Sequence, residues 1–213
     1  MLQPHRWRIA QHLTAECLTG GTYETAFGRL KMEEHWVRRS DLVCLRMMTK
    51  EDTDRIVAWR NQDFVRERFI YQKPFTREGH LKWMETQVET GRVVQMIICL
   101  ARTGQAVGSV YFRDIDREHR KAEYGIFIGE EDALGKGIGT QTAYLALDYA
   151  FHELKLHRVM LRVLADNVRA RKSYERAGFT EEAYLRDDVF LDGKFHDVVL
   201  MAVLNPGEIA SSA

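Results

Sequence analysis

The sequence lacks the cysteine pattern of a disulfide-stabilised or metal-binding protein. Its 213 residues include only three cysteines, Cys17, Cys44 and Cys99, which are scattered and odd in number. Disulfide frameworks and metal sites both need regular spacing, so neither is indicated. The eight histidines form no H-x-x-x-H motif and no cluster with cysteine. We therefore expect no bound metal, and the unpaired cysteines favour a reducing, cytoplasmic location.

The sequence also lacks long apolar runs and an excess of charge of either sign. No run is long enough to span a membrane, and the N-terminus has no signal-peptide core. Lysine and arginine total 31, and aspartate and glutamate also total 31. The overall charge gives no attraction to nucleic acid or to an anionic membrane, so we expect neither as a partner. A composition that is 45% hydrophobic and 29% charged is typical of a globular protein.

The length suits one domain with a short appendage. Recognisable patterns begin near Leu42, so we predict a folded domain over residues 41–206 and a tail over residues 207–213. Residues 1–40 have mixed polarity and weak periodicity, and we predict an N-terminal extension of uncertain structure. An alternative is that Met32 is the true start of the protein.

Apolar spacing predicts an alternation of strands and helices along this domain. Strand patterns occupy residues 42–47, 93–100, 107–112, 122–128 and 157–164, and a hairpin occupies residues 183–204 around Asp192-Gly193. Helical patterns follow Asp52, Thr76 and Gly139, and another runs from Asn167 to Ala177. The strands at 93–100, 107–112 and 122–128 are predicted to form an antiparallel meander.

A glycine-rich turn follows the third strand of this meander and opens a helix. Gly135, Gly137 and Gly139 alternate within Leu134–Thr140. Glycines permit unusual φ values and close approach, and a helix N-terminus presents unpaired N–H groups, so the turn suits a phosphate. The G-x-G-x-G spacing differs from the dinucleotide-binding G-x-G-x-x-G, and the P-loop pattern is absent. We therefore exclude those nucleotide-binding folds.

Two blocks carry a resemblance to a known family. The first is residues 122–140, where Gly137-x-Gly139 fits the R/Q-x-x-G-x-G/A pattern of a pyrophosphate loop. The second runs from Asn167 through Ala170 and Tyr174 to Phe179. Residues 42–204 thus resemble the GNAT superfamily of acyl-CoA-dependent N-acetyltransferases. The family usually has Arg or Gln where this chain has Leu134, but phosphate binding by backbone N–H groups does not need that side chain.

The resemblance implies an α+β fold with α/β/α layers. Its central sheet would be mixed and mostly antiparallel, with one splayed strand pair that admits the pantetheine arm of acetyl-CoA. Acetyl-CoA would be the co-substrate, and no metal would be needed. The residues expected to bind it are Phe127, Ile128, Leu134, Gly135, Lys136, Gly137, Ile138, Gly139, Thr140, Asn167, Ala170, Arg171 and Lys172. The side chains of Phe127 and Ile128 are expected to be core, and Asn167 could also simply cap its helix.

The chemistry of acetyl transfer suggests two catalytic residues. Tyr174 is the candidate general acid for the departing thiolate, because a phenol with a pKa of about 10 stays protonated at neutral pH. The alternative is a tyrosine packed with its hydroxyl at a rim. Glu123 is the first candidate for the base that takes the proton of the amine. The alternatives are residues of the preceding loop: Asp114, Asp116, Glu118 and His119.

The resemblance implies that the acceptor is a primary amine, an amino sugar or a polyamine, that attacks directly in a ternary complex. Trp59, Arg60 and Asn61 are the candidate substrate-binding residues, because this stretch resembles GNAT enzymes acting on amino sugars; Trp59 could equally be core. The segment 185–197 instead resembles polyamine and ribosomal-protein acetyltransferases. A non-catalytic acyl-CoA-binding module is the alternative from another class. Sheet-edge pairing makes a homodimer an expectation as well.

Overall fold

A computed structural model describes residues 36–209. The eight strands are β1 (Trp36–Arg39), β2 (Val43–Met47), β3 (Val94–Leu100), β4 (Ala106–Asp116), β5 (Lys121–Ile128), β6 (Arg158–Leu164), β7 (Thr180–Leu191) and β8 (Lys194–Leu204). The helices are α1 (Thr53–Asn61), α2 (Asp63–Arg66), α3 (Arg77–Trp83), α4 (Ile138–His152), α5 (Val168–Arg176) and α6 (Pro206–Ile209). The proposed start at Met32 lies outside the described residues, as do most of the extension and the last residues of the tail.

One sheet joins all eight strands in the order β1-β2-β3-β4-β5-β6-β8-β7. Every neighbouring pair is antiparallel except β5 and β6, which run parallel. A parallel pair needs a crossover, and α4 supplies it between these two strands. The mixed, mostly antiparallel sheet that the resemblance implied is therefore confirmed.

Side chains alternate between the two faces of the sheet and build a core on each face. On β2, Val43 and Leu45 join the core beneath α4, whereas Cys44 joins the core beneath α1. On β5, Tyr124 faces the α4 side and Phe127 faces the α1 side. The sheet thus lies between two helical layers, α1–α3 and α4–α5, and the expected layering is confirmed.

The structure contains elements that the sequence patterns did not predict, among them β1 and α2 and the final turn α6. The first is β1, which precedes residue 41 and pairs with β2. It is short and carries two arginines, and it is fixed by Arg38, which binds Asp148 at 2.6 Å and Glu153 at 3.0 Å on and after α4. The second is α2, a single turn after α1. The position of β1 depends on contacts distant in sequence, which local periodicity does not reveal.

None of the helices within residues 36–209 combines the length and the hydropathy that a membrane span requires.

Candidate functional site

The centre of the sheet opens between β5 and β6. These strands pair only through Lys121–Arg158, Ala122–Val159 and Glu123–Met160. Beyond Glu123, β5 continues to Ile128 paired with β4 alone, and β6 continues to Leu164 paired with β8 alone. Two strand edges with backbone hydrogen-bonding groups therefore face each other across a gap. Such groups need partners, and an extended chain with amides could supply them.

A cavity of about 1140 Å³ extends through this gap. We call its two sides the donor half, formed by the loop before α4, α4 and α5, and the acceptor half, formed by α1, residues 62–76 and the Glu123 face of β5. Most of the residues expected to form the site line this cavity. They are Arg60, Glu123, Phe127, Ile128, Leu134, Gly135, Gly137, Ile138, Gly139, Thr140, Asn167, Ala170 and Tyr174. One cavity of this size could hold both a donor and an acceptor.

The glycine turn has a backbone that other residues would adopt only under strain. Gly135 has φ 81° and Gly137 has φ 79°, both in the left-handed region. Gly137 is the N-cap of α4, so the N–H groups of Ile138, Gly139 and Thr140 have no partner within the helix. These groups lie at the positive end of the helix dipole and border the cavity. The turn is therefore suited to an anion.

Arg169 of α5 reaches this turn, and the sequence analysis did not single it out. Its Nη2 would lie 3.5 Å from a Cβ built on Gly135, and it borders the cavity. Three expected cofactor residues are not among those bordering the cavity: Lys136, Arg171 and Lys172. Arg171 instead donates to the Ala165 carbonyl at 3.1 Å and to Glu181 at 3.0 Å.

The helical spacing of α5 explains this arrangement. Arg169, Ser173 and Arg176 lie at i, i+4 and i+7 and border the cavity, with Ala170 and Tyr174 beside them. Asn167 caps the helix, since its side chain accepts a hydrogen bond from the N–H of Ala170 at 3.3 Å. The sequence already placed Ala170 and Tyr174 on the helical face toward the donor. Arg169 directly precedes Ala170 and lies beside the same face, so this spacing could have identified it.

Tyr174 borders the cavity from within an aromatic cluster. Its ring lies edge-on to Tyr124 at 6.1 Å and to Phe179 at 5.9 Å between ring centroids. Burial raises the pKa of Tyr174 above its usual value, and the neighbouring Tyr111 adds to the effect. The phenol therefore remains a proton donor throughout the neutral and mildly basic pH range.

Glu123 lies at the point where the gap begins, held between two arginines. Its Oε1 accepts a hydrogen bond from Arg113 Nη2 at 2.6 Å and lies 3.5 Å from Arg162 Nε. Its side chain is 15% exposed. Two of the alternatives that the sequence placed on a loop, Asp114 and Asp116, lie on β4 instead. Of all four alternatives only Asp114 borders the cavity, and its side chain is 80% exposed. Asp116 instead accepts a hydrogen bond from the N–H of His119.

Tyr111 and Gly125 together shape the floor of the acceptor half. They are opposite each other on β4 and β5, and the Tyr111 ring folds over the glycine. A Cβ at residue 125 would lie 2.2 Å from Tyr111 Cζ, a distance no real contact allows. Glycine is therefore required for this ring position.

Arg60 is a deeply buried cation that borders the acceptor half. It is 6% exposed, and its guanidinium carbon lies 3.4 Å from the ring centroid of Phe69 and 4.7 Å from that of Phe75. Each such contact contributes about 0.5–2 kcal/mol. Its Nη2 donates to the Tyr71 carbonyl at 3.2 Å, whereas Nη1 is buried without a partner. Burial lowers the pKa of Arg60 to about 10, so it stays charged at neutral pH.

The two neighbours of Arg60 have structural contacts and do not border the cavity. Trp59 is buried in the core beneath α1, and its Nε1 donates to Glu130 at 2.8 Å. The Asn61 side chain donates to the Phe75 carbonyl at 2.9 Å and accepts from the Phe75 N–H at 2.8 Å. Asn61 therefore fixes the segment that covers Arg60.

No group of three or more His, Cys, Asp or Glu side chains within residues 36–209 is arranged to hold a metal ion.

Comparisons with known proteins match this chain to one family. Residues 43–180 match the family model described as the acetyltransferase (GNAT) domain. A spermidine N(1)-acetyltransferase of Escherichia coli is 30% identical over 166 residues, which cover 76% of this chain and 85% of that protein. A spermidine N(1)-acetyltransferase of Vibrio cholerae is 39% identical over 98 residues, and this match spans only 56% of that protein's length.

The fold also matches a solved structure. The spermidine N-acetyltransferase of Vibrio cholerae, crystallised in complex with CoA and spermine, superposes with a TM-score of 0.72 and 26% identity. The match covers 78% of this chain and 96% of that one.

Proposed function

The chain belongs to the GNAT acetyltransferase family, and from this premise we propose that it transfers the acetyl group of acetyl-CoA to a small primary amine. The amine attacks the thioester directly while both substrates are bound. The observation that carries the proposal is the gap between β5 and β6, which opens immediately after the Glu123–Met160 pair. It adjoins both the glycine turn before α4 and the partly buried Tyr174.

The residues of the donor half offer the groups that acetyl-CoA would need: hydrogen-bond donors for phosphate and open strand edges for amides. The first-turn N–H groups of α4 and the guanidinium of Arg169 are proposed to bind the pyrophosphate. The open edges of β5 and β6 are proposed to receive the amides of the pantetheine arm, which has the extended form such edges accept. We assign no direct phosphate contact to Lys136, Arg171 and Lys172, because they do not border the cavity.

Tyr174 is proposed as the general acid that protonates the departing thiolate of CoA. Its hydroxyl is kept protonated by burial, which raises its pKa. As the C–S bond breaks, the phenol proton passes to sulfur and the amine nitrogen forms the new C–N bond.

Glu123 is proposed to receive the proton that the attacking ammonium must lose, directly or through one water. A lysine-like ammonium has a pKa of about 10.4, so little free amine exists at neutral pH. The ion pairs of Glu123 with Arg113 and Arg162 fix its position but also weaken it as a base, because both favour the ionised carboxylate.

The acceptor classes with support are polyamines and amino sugars. The relatives named as spermidine acetyltransferases support the first, and the resemblance around Trp59-Arg60-Asn61 supports the second. A thiol-release assay with acetyl-CoA tests the proposal against amino sugars, polyamines, amino acids and N-terminal peptides. If the protein binds acetyl-CoA but releases no free CoA thiol with any of these amines, a non-catalytic acyl-CoA-binding module is favoured instead.

A further inference from the structure

The acceptor half of the cavity has a marked excess of positive charge. Arg60, Arg68, Arg113 and Arg162 border it, against the carboxylates of Glu123 and Asp114. Glu123 is already bound by Arg113 and Arg162, and Asp114 lies 3.7 Å from Arg113 on the exposed rim. The two carboxylates are thus associated with the arginines of the sheet. Arg60 and Arg68, on the helical side, take part in none of the ion pairs of the described residues.

Of the two arginines on the helical side, Arg60 is the one whose guanidinium is held in a fixed position. Phe69 and Phe75 lie against the guanidinium, and Phe127 of β5 lies 5.8 Å away. The hydrogen bond to Tyr71 and the Asn61–Phe75 bonds hold the covering segment over it. A guanidinium with no counter-charge is unfavourable in such a place, because the rings replace only part of its hydration.

We propose that the acceptor amine carries an anionic group, a carboxylate or a phosphate, whose charge is balanced by Arg60 in the acceptor half. The inference rests on the proposed function and names its substrate class. An arginine offers a planar set of donors that matches either anion, so the shared chemistry is the negative charge. A polycation such as spermidine would instead bring further positive charge next to uncompensated arginines, where weak solvent screening strengthens the repulsion.

Matched pairs of amines test this in the wild-type protein. Thiol release from acetyl-CoA is measured with glucosamine and glucosamine 6-phosphate, with β-alaninamide and β-alanine, and with spermidine. In each pair the first compound lacks an anionic group and the second carries one; we call them the neutral and the anionic member, counting only this group and not the ammonium that both share. We expect kcat/KM for the anionic member of at least one pair to exceed that of its neutral partner, and of spermidine, about tenfold or more. The first pair detects a preference for phosphate and the second a preference for carboxylate. Neutral partners or spermidine turning over as well as the anionic amines would overturn the inference.

A binding measurement separates failure of the inference from failure of the proposed function. The thermal shift of the CoA-bound protein is recorded with the same five amines, so that no turnover is needed. Larger stabilisation by the anionic members supports the inference, and larger stabilisation by spermidine contradicts it. If acetyl-CoA releases no thiol with any of the five amines, the proposed function is contradicted. The thermal shifts would still decide the charge of the ligand.

Variants assign the preference to Arg60. Arg60→Gln is expected to reduce the anionic-to-neutral ratio of kcat/KM to about one through KM for the amine, with KM for acetyl-CoA unchanged. Arg60→Lys retains part of the preference. The control is Arg77→Gln, since Arg77 pairs with Asp54 on the surface and does not border the cavity; its ratio stays at the wild-type value. A lower melting temperature of Arg60→Gln with an unchanged ratio would show a purely structural arginine. If that variant does not fold, the wild-type pairs decide.

Discussion

Glu123 of β5 lies beside Met160 of β6, and this is the last residue pair that the two strands share. One residue further, the strands separate and the cavity begins. The same glutamate accepts a hydrogen bond from Arg113 at 2.6 Å. A single position on β5 therefore ends the parallel pairing and also places a carboxylate at the entrance of the gap.

The phenol of Tyr174 is expected to be needed for catalysis but not for binding. Tyr174→Phe removes the hydroxyl and keeps the ring that packs on Tyr124 and Phe179. We expect kcat to fall about 10²–10⁴-fold, with the calorimetric Kd for acetyl-CoA unchanged. Because burial raises the pKa of Tyr174, the wild-type rate should not decline through its ionisation below about pH 10.

A tyrosine outside the cavity is the control for this substitution. Tyr149 on α4 is half-buried beside Arg38 and does not border the cavity, so Tyr149→Phe should keep the wild-type kcat. Turnover of Tyr174→Phe at the wild-type rate would exclude the general-acid role.

Arg169, rather than its basic neighbours on α5, is expected to bind the phosphates of the donor. Arg169→Ala should weaken acetyl-CoA binding about tenfold, the effect of one lost charge-assisted hydrogen bond. Lys172→Ala should leave the affinity unchanged, because Lys172 does not border the cavity. Isothermal titration calorimetry measures both, and equal losses in the two variants would indicate only a general electrostatic attraction.

The role of Glu123 as base predicts a pH-dependent defect. Glu123→Gln should lower kcat/KM about 10²-fold near neutral pH. The defect should shrink toward about pH 10, where the amine loses its proton in solution and needs no base. Asp114→Asn is the control, because that side chain is 80% exposed. A defect of constant size at all pH values would assign Glu123 to positioning Arg113 and Arg162 alone.

Asp52 is expected to stabilise the junction of β2 and α1. Its side chain is 5% exposed and binds Arg46 through two hydrogen bonds of 2.7 and 2.8 Å. Burial alone raises the pKa of Asp52, but the bonds from Arg46 and from the Thr49 N–H outweigh burial and lower it. This stability is therefore present above the unfolded-state pKa of about 3.9 and is lost as the pH falls through the lower folded-state value.

Asp52→Asn should accordingly reduce the free energy of unfolding by about 3 kcal/mol at neutral pH. The difference from wild type should narrow below about pH 4. Chemical denaturation at several pH values measures it. Asp54→Asn is the control, since Asp54 is 77% exposed in its pair with Arg77, and a change within about 0.5 kcal/mol is expected. An equal loss in both variants would contradict the account of Asp52.

Local patterns predicted those elements whose apolar residues repeat at strand or helix spacing. The meander of β3 to β5, the helix after the glycine turn and the Asp192-Gly193 hairpin are examples. Strand β1 escaped prediction because Arg38 is fixed by Asp148 and Glu153, more than a hundred residues away. The splay of β5 and β6 came from the family resemblance, since nothing in either strand shows where pairing stops.

The site was predicted best where backbone geometry defines it. Gly135 and Gly137 have the positive φ values that their chemistry suggested, whereas the direction of charged side chains depended on tertiary packing. Arg171 contacts Glu181, whereas Arg169 lies beside the glycine turn. The two arginines are only two positions apart on α5, so the sequence alone does not tell them apart. The burial of Arg60 under Phe69 and Phe75 likewise depends on a segment whose path the sequence does not reveal.

The most direct test of the central claim is the initial rate of CoA release when acetyl-CoA and an amine are both varied. Attack within a ternary complex at the β5–β6 gap predicts intersecting double-reciprocal lines and formation of one acetylated amine for each CoA released. Parallel lines, or binding of acetyl-CoA with no amine-dependent CoA release, would contradict it.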